Sequence, residues 1–503
     1  MLKATLRSAV LLGLLAWSAP SFAEVQNVKV GGEVNVRTFL RQNLRLSQDV
    51  FNGTGGGSTT VVDRMDAGGS GTRDDGSAGD NFLQQLTAVN IGADLTENVS
   101  TQLRLINQRV WGSVAADATD SADADANQVD VSLAHITLKE LFYSPLTVTI
   151  GRQNLWFGRG FIVGSRLLHG DNDPSGSLAA DEFSDLTAFD AIRGTLDLSG
   201  LAGGLPVTVD GVYAKVDEND VSVTGEADSS ADDVDLLGLN IGTRADQWNS
   251  ELEAYFWKKR DNELRGTGAA AGTVENNPQS NTLGLRGSAS PMEGVSLWSE
   301  LAYQWGNRIT SSITFDAEGE AGDEYQAWAA NLGLDWTGKD VAWSPTIGGE
   351  WIFYSGDKGS ASAIGGWDSV YRGKFTSALR EFQAAGFYMP AQSGATVNGT
   401  YNTITNSSTN QHQLALHGTV RPLEDLSVDN RLTWFIADVG IVPVAGAKRK
   451  SGLGTEWDVQ ANYNYTDDVQ LGLVYALFNP GNVFRTPYDD AAQELVTSVS
   501  VKF

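Results

Sequence analysis

The chain contains no cysteine. That absence removes disulfide frameworks, thiolate nucleophiles, covalently attached haem and lipid anchoring through a cysteine. Histidine is scarce, at four in 503 residues, and neither an HExxH pattern nor a nucleophile elbow occurs. His169-Gly170-Asp171 with a nearby serine comes closest to a triad, but a triad is defined by geometry rather than by proximity in sequence. The residues therefore read as no enzyme, no cofactor and no metal site. Long apolar runs are missing too. After Ala23 nothing approaches the roughly eighteen consecutive apolar residues of a membrane-spanning helix. Half-polar barrel strands escape that test, because each is only about 9–11 residues long. Positive charge is also short: the formal net charge is −27, the reverse of a nucleic-acid binder. Proline stands at 12, against 56 glycines, 14 tryptophans and 13 tyrosines.

The N-terminus reads as an address. Lys3 and Arg7 precede an apolar run from Ala9 to Trp17, and Pro20 and Ser21-Phe22-Ala23 follow. This is the pattern of a secretory signal peptide over 1–23, with the mature chain expected from Glu24. At the other end, Leu495, Val499, Val501 and Phe503 share one parity, while Glu494, Ser498, Ser500 and Lys502 share the other. A period of two marks a strand with one apolar and one polar face. A closing phenylalanine on the apolar face suits the last strand of an outer-membrane barrel better than a fraying end in water.

Eighteen such alternating segments lie between 27–44 and 494–503, an even number as a bacterial single-chain barrel requires. The gaps between them alternate short and long. Short gaps such as 95–99, 246–248 and 467–468 read as periplasmic turns. Long ones such as 45–81, 154–186 and 356–409 read as extracellular loops. This rhythm predicts one up-and-down antiparallel transmembrane β-barrel over 24–503. The low-complexity tracts Gly53 to Gly79, Asp117 to Asp130 and Asp217 to Asp235 fall in those loops. Their acids read as solvated tips or as carboxylates bridged by divalent ions to lipopolysaccharide. Asp123, Asp125 and Asn127 begin like a calcium loop but lack its glycine and closing glutamate. Trp336, Trp343, Trp351, Trp434, Trp457, Tyr465 and Tyr475 lie on or beside strands, where interfacial girdles want them.

Parity also sorts the candidate lumen. Lys29, Glu33, Arg37 and Arg41 oppose Val28, Val30, Val34, Val36 and Leu40; Arg104 opposes Leu103 and Leu105. Arg193 opposes Ile192, Arg286 opposes Leu283 and Leu285, and Arg431 opposes Leu432 and Trp434. Guanidinium groups facing a common aqueous space attract carboxylate or phosphate, which they bind bidentately. Glu33, Glu251, Glu253, Glu300, Glu350, Asp429, Glu456 and Asp458 face the same way, so the lumen reads as mixed in sign. The long segment 356–409 carries Tyr371, Arg372, Lys374, Arg380 and Glu381, with a helical patch expected over Phe375 to Phe382. A loop of that length is expected to fold over or into the pore and restrict it.

The sharpest local feature is Gly151-Arg152-Gln153-Asn154-Leu155-Trp156-Phe157-Gly158-Arg159-Gly160, returning through Phe189-Asp190-Ala191-Ile192-Arg193-Gly194. Here the chain resembles the alginate export family of outer-membrane porins, whose members carry a Gly-Arg-Gln element followed by a Phe-Asp-x-x-Arg strand. The resemblance implies an eighteen-stranded barrel with an arginine-rich, loop-narrowed constriction through which an anionic polysaccharide leaves the cell. It implies that Arg152 and Arg193 are constriction residues. Arg104, Arg37, Arg41, Arg286, Arg431 and Arg159 complete the expected pore lining. The expected setting is the outer membrane of a Gram-negative bacterium, among lipid and lipopolysaccharide, with an anionic cargo and periplasmic export machinery as partners. Two other readings stay open: a general or cation-preferring porin of the same fold, and a barrel whose loops carry enzymatic or adhesive work.

Overall fold

The alternation of the sequence becomes a wall. The computed structural model describes residues 27–42, 80–111, 129–166, 185–200, 205–217, 234–261, 279–307, 324–356, 363–379, 409–441, 448–483 and 490–503. The expected signal peptide, most of the three low-complexity tracts, His169 and the calcium-like stretch from Asp123 to Asn127 lie outside these residues. The first nine strands are β1 (Asn27–Gln42), β2 (Asp80–Thr96), β3 (Val99–Val110), β4 (Asp130–Leu138), β5 (Leu146–Gln153), β6 (Phe189–Asp197), β7 (Val207–Asp217), β8 (Val234–Ala245) and β9 (Ser250–Asp261). The rest are β10 (Gln279–Met292), β11 (Val295–Asn307), β12 (Glu324–Thr337), β13 (Thr346–Tyr354), β14 (Ala363–Ile364), β15 (Gln411–Leu423), β16 (Leu426–Ile441), β17 (Lys450–Asn464), β18 (Val469–Pro480) and β19 (Ala492–Lys502). Each barrel strand pairs antiparallel with its neighbours, and β1 pairs with both β2 and β19, which closes the sheet. The two-residue β14 belongs to the loop after β13 and pairs in parallel with the start of β12, leaving eighteen strands in the wall.

Strand boundaries agree with the sequence reading to within three residues, except that β17 begins at Lys450 rather than 455. Gly452 and Gly454 hide the alternation there, and β16 and β17 also slip register in this region. The turns between β2 and β3, β10 and β11, and β15 and β16 are two residues long. Closure is sealed by the terminal residue: Gly32 N–H donates to Phe503 O at 2.8 Å and Phe503 N–H to Gly32 O at 3.0 Å.

The two faces differ in chemistry. Leu283, Leu285, Leu297, Leu301, Leu332, Leu334, Ile347, Leu414 and Leu416 are exposed on the outside. Exposed aromatics edge that band at the periplasmic turns, among them Tyr143, Trp248, Trp336, Trp343 and Tyr465. Toward the long-loop end, Tyr303, Trp305, Trp328 and Phe256 stack on one another. An apolar outer belt between aromatic rims fits a bilayer, in which every strand donor and acceptor must be paired within the protein.

The inside is partly filled. Ala302, Ala327 and Ala329 leave room on the inner wall, and buried Phe161, Ile162, Val163, Trp367, Val370 and Tyr371 from two infolded loops occupy it. Wall aromatics supply the rest. The rings of Trp257, Tyr255 and Trp298 lie over Gly238, Gly284 and Gly333, their cross-strand partners or next-strand neighbours, where any Cβ would collide with them. Each large apolar side chain so buried contributes about 1.5–3 kcal/mol. Leu301, 52% exposed at mid-strand, tests the orientation of the wall. Leu301→Arg is expected to lower folding stability in bilayers by about 2–4 kcal/mol, the cost of a lipid-facing arginine near the midplane; denaturant titration of the refolded barrel measures it.

Candidate functional site: a loop bridge across the lumen

The glycines of the sharpest sequence motif serve a sharp inward turn. Gly151, Gly158 and Gly160 hold φ values of 117°, 56° and 72°, which other residues rarely adopt. They carry the loop after β5 off the wall and into the lumen. There it meets the loop after β13. Gly164 N–H donates to Tyr371 O at 2.7 Å, Tyr371 N–H to Ile162 O at 3.0 Å, and Gly373 N–H to Gly160 O at 2.8 Å. Val163 and Tyr371 form a parallel bridge. Gly164 and Gly373 permit the contact: a Cβ on Gly164 would stand 2.9 Å from Gly373 Cα, and one on Gly373 2.7 Å from Gly164 C. The two loops thus form one backbone-bonded bar inside the barrel.

The bar is anchored to the wall at both ends. Gln304 on β11 exchanges hydrogen bonds with the Asp368 backbone, donating at 2.9 Å and accepting at 3.0 Å. Arg372 donates to Tyr354 Oη at 3.1 Å, Lys374 pairs with Glu350 on β13, and Leu379 N–H donates to Glu456 on β17 at 2.6 Å. Burial pushes the Lys374 amine below its ordinary range, against the pull of Glu350. The described part of this loop contains no helix; its backbone is spent on bonds to the first loop and the wall rather than on a helical ladder. Positions 380–382 of the expected helical patch lie outside the described residues.

The expected pore arginines separate into classes. Arg37 and Arg41 on β1, Arg104 on β3, Arg193 on β6, Arg286 on β10 and Arg431 on β16 all take the inner face, and carboxylates hold most of them. Arg41 is buried against Glu494 at 2.6 Å and stacks on Phe39 and Phe82. Arg104 reaches Glu33 at 2.5 Å and Asp185 at 2.6 Å, and Arg37 donates to Gln84 at 3.2 Å beside them. Burial raises the Asp185 carboxyl, with Arg104 opposing the shift. Arg193 binds Asp210 at 2.8 Å and lies over the Phe157 ring. Arg286 binds Glu253 at 2.5 Å and Glu251 at 3.2 Å beneath Gly158. Arg431 binds Glu350 at 2.7 Å.

Arg152 is a correction. It shares parity with Ile150, which is 45% exposed on the outer surface, and pairs there with Asp190 at 2.7 Å. The residue of the motif that faces inward is its neighbour Gln153, whose amide donates to Ala191 O at 2.9 Å. Arg159 is different again. It rides on the infolded loop, with its guanidinium 4.1 Å from the centre of the Trp298 ring and, among the described residues, no carboxylate bonded to it. The Lys374 amine lies 5.9 Å from the same ring. Inward-facing Lys259, buried near the Tyr371 ring, was missed by the sequence reading although β9 parity marks it. Nothing in the sequence announced that Gly164 and Gly373 would meet.

The family model for alginate export matches residues 63–498. The chain belongs to the alginate export family. No curated protein sequence matches it. Among solved structures, Acinetobacter baumannii OccAB1 superposes with a TM-score of 0.51 at 11% identity, covering 96% of this chain and 99% of that one. Pseudomonas aeruginosa OccK9 (OpdG) gives 0.49 at 12% identity, covering 95% and 99%. The outer membrane protein OpdK of the same species gives 0.47 at 11%, covering 94% and 99%. At such identities the likeness extends to the fold alone. Family and fold together make this alginate export family member an outer-membrane channel.

The bridge predicts its own failure. Gly373→Val should overpack the contact at a cost of about 1–3 kcal/mol, separate the loops and raise single-channel conductance in planar bilayers. Unchanged conductance in a folded variant would remove the bar as the restriction.

Proposed function

We propose that this channel passes an anionic, carboxylate-bearing solute or polysaccharide, alginate-like in charge, across the outer membrane of a Gram-negative bacterium. One observation carries the reading: the infolded bar narrows the lumen and places Arg159 and Lys374 together over Trp298. An eighteen-stranded barrel is wide enough for an aqueous path. Across that path the bar offers the guanidinium of Arg159, whereas most wall arginines are already matched by acids. A carboxylate moving past meets Arg159, whose planar fork is bonded to no acid among the described residues and can bind it transiently. Transport is passive. A concentration gradient or a periplasmic machine pushing product outward supplies the drive, and the family's name favours export.

A second reading has its own support. The matched wall and the net charge of −27 also suit a cation-preferring porin. Reversal potential in a salt gradient separates the two. The wild type is expected to favour anions, and Arg159→Glu should move the potential toward cation selectivity. Arg152→Glu, on the outer surface, should leave it where it was. A cation-selective wild type, or an Arg159 variant with no shift, would hand the lumen to the second reading.

A further inference from the structure

The outward turn of Arg152 draws attention to what lies beside it. Cross-strand register puts Arg152 next to Asp190, Asp190 next to Lys215, Lys215 next to Asp235, and Asp235 next to Arg260. Side chains of directly paired residues share a face, so this is one row on the outer surface across β5 to β9. At about 4.7–4.9 Å between strands, it runs about 20 Å around the barrel. The next row toward the periplasm is Ile150, Ile192, Tyr213, Leu237 and Lys258. Ile150, Ile192 and Tyr213 are exposed at 45%, 49% and 41%. The charged row therefore sits directly above the lipid-facing band, on the long-loop side, at the height where hydrocarbon gives way to headgroups.

Part of the row is matched internally. Arg152 holds Asp190, Lys215 lies 3.7 Å from Asp235, and Tyr213 Oη donates to Asp235 at 3.0 Å. Lys258 and Arg260 are not matched: among the described residues neither bonds a carboxylate. A protein of net charge −27 has thus placed two adjacent uncommitted cations on its membrane-facing rim. They stand just above Phe256, which packs with Trp305 in the aromatic rim. Lysine and arginine at that depth gain from anionic headgroups and little from water alone.

We propose that the outer face at β8 to β10 binds the phosphates of the outer-leaflet glycolipid, with Lys258 and Arg260 as the phosphate ligands and the Arg152–Asp190–Lys215–Asp235 ladder as the continuing polar edge. The occupant is the phosphorylated lipid A portion of lipopolysaccharide. Its acyl chains would lie on Ile150, Ile192, Tyr213 and Leu237, below its charges.

The test uses the full mature barrel in zwitterionic detergent. Bisphosphorylated lipid A and its dephosphorylated form are titrated against the wild type and against Lys258→Gln/Arg260→Gln, with thermal unfolding and native mass spectrometry as readouts. Lipid A is expected to bind and stabilise the wild type, the dephosphorylated form to bind much more weakly, and the double variant to bind lipid A about tenfold or more weakly. Heat-modifiable gel mobility and unchanged conductance show that the variant is folded, since neither residue faces the lumen. Equal lipid A affinity in the variant overturns the proposal, as does equal binding of the dephosphorylated form. A change of oligomeric state with unaltered lipid A binding also overturns it and assigns the face to contact with a second copy.

Discussion

Everything in this protein depends on the pairing of β1 with β19. Inside a bilayer no water is available to satisfy strand-edge donors and acceptors, so a sheet survives only if it has no edge. The ten-residue register from Glu33↔Lys502 to Gln42↔Gln493 removes the last edge, and the Gly32–Phe503 backbone pair locks its periplasmic end. Closure then settles the chemistry of both faces. Alternate residues must face lipid or lumen, so the same strands that present Leu283 and Leu285 outward present Thr282 and Arg286 inward.

A closed wall of eighteen strands encloses more space than its own side chains fill. The protein fills part of it with backbone. The two loops that enter satisfy their peptide groups on each other and on wall side chains such as Gln304 and Glu456, as buried backbone must. Their apolar residues pack with the alanines and aromatics of the wall from β6 to β13. The result is an apolar core between wall and bar, on one side of the barrel, with no counterpart in a sandwich of two sheets.

Electrostatics follow from that filling. Buried arginines left alone would be costly, and the wall matches them to carboxylates from adjacent strands or loops. Arg193 with Asp210, Arg286 with Glu253 and Arg41 with Glu494 are internal pairs that hold shape. On the proposed reading, positive charge for a passing anion comes from the bar through Arg159. Counting arginines therefore says little about selectivity. What counts is which of them the register has already neutralised.

Period-two parity alone was enough to place Arg37, Arg41, Arg104, Arg193, Arg286 and Arg431 on the inner face, because a strand side chain has only two sides to choose from. The same rule applied to Ile150 places Arg152 outside; a motif resemblance names residues without giving their phase. The strand number, the antiparallel order, the sorted loop lengths and the two chemically distinct faces are all local properties, and the sequence by itself determined them. The meeting of Gly164 with Gly373, the partner of each lumen arginine and the alignment of Arg152 through Arg260 into one outer row were decided by the tertiary structure. These depend on which residues of distant strands and loops come to the same height, and that height is set only when the sheet closes and its register becomes fixed.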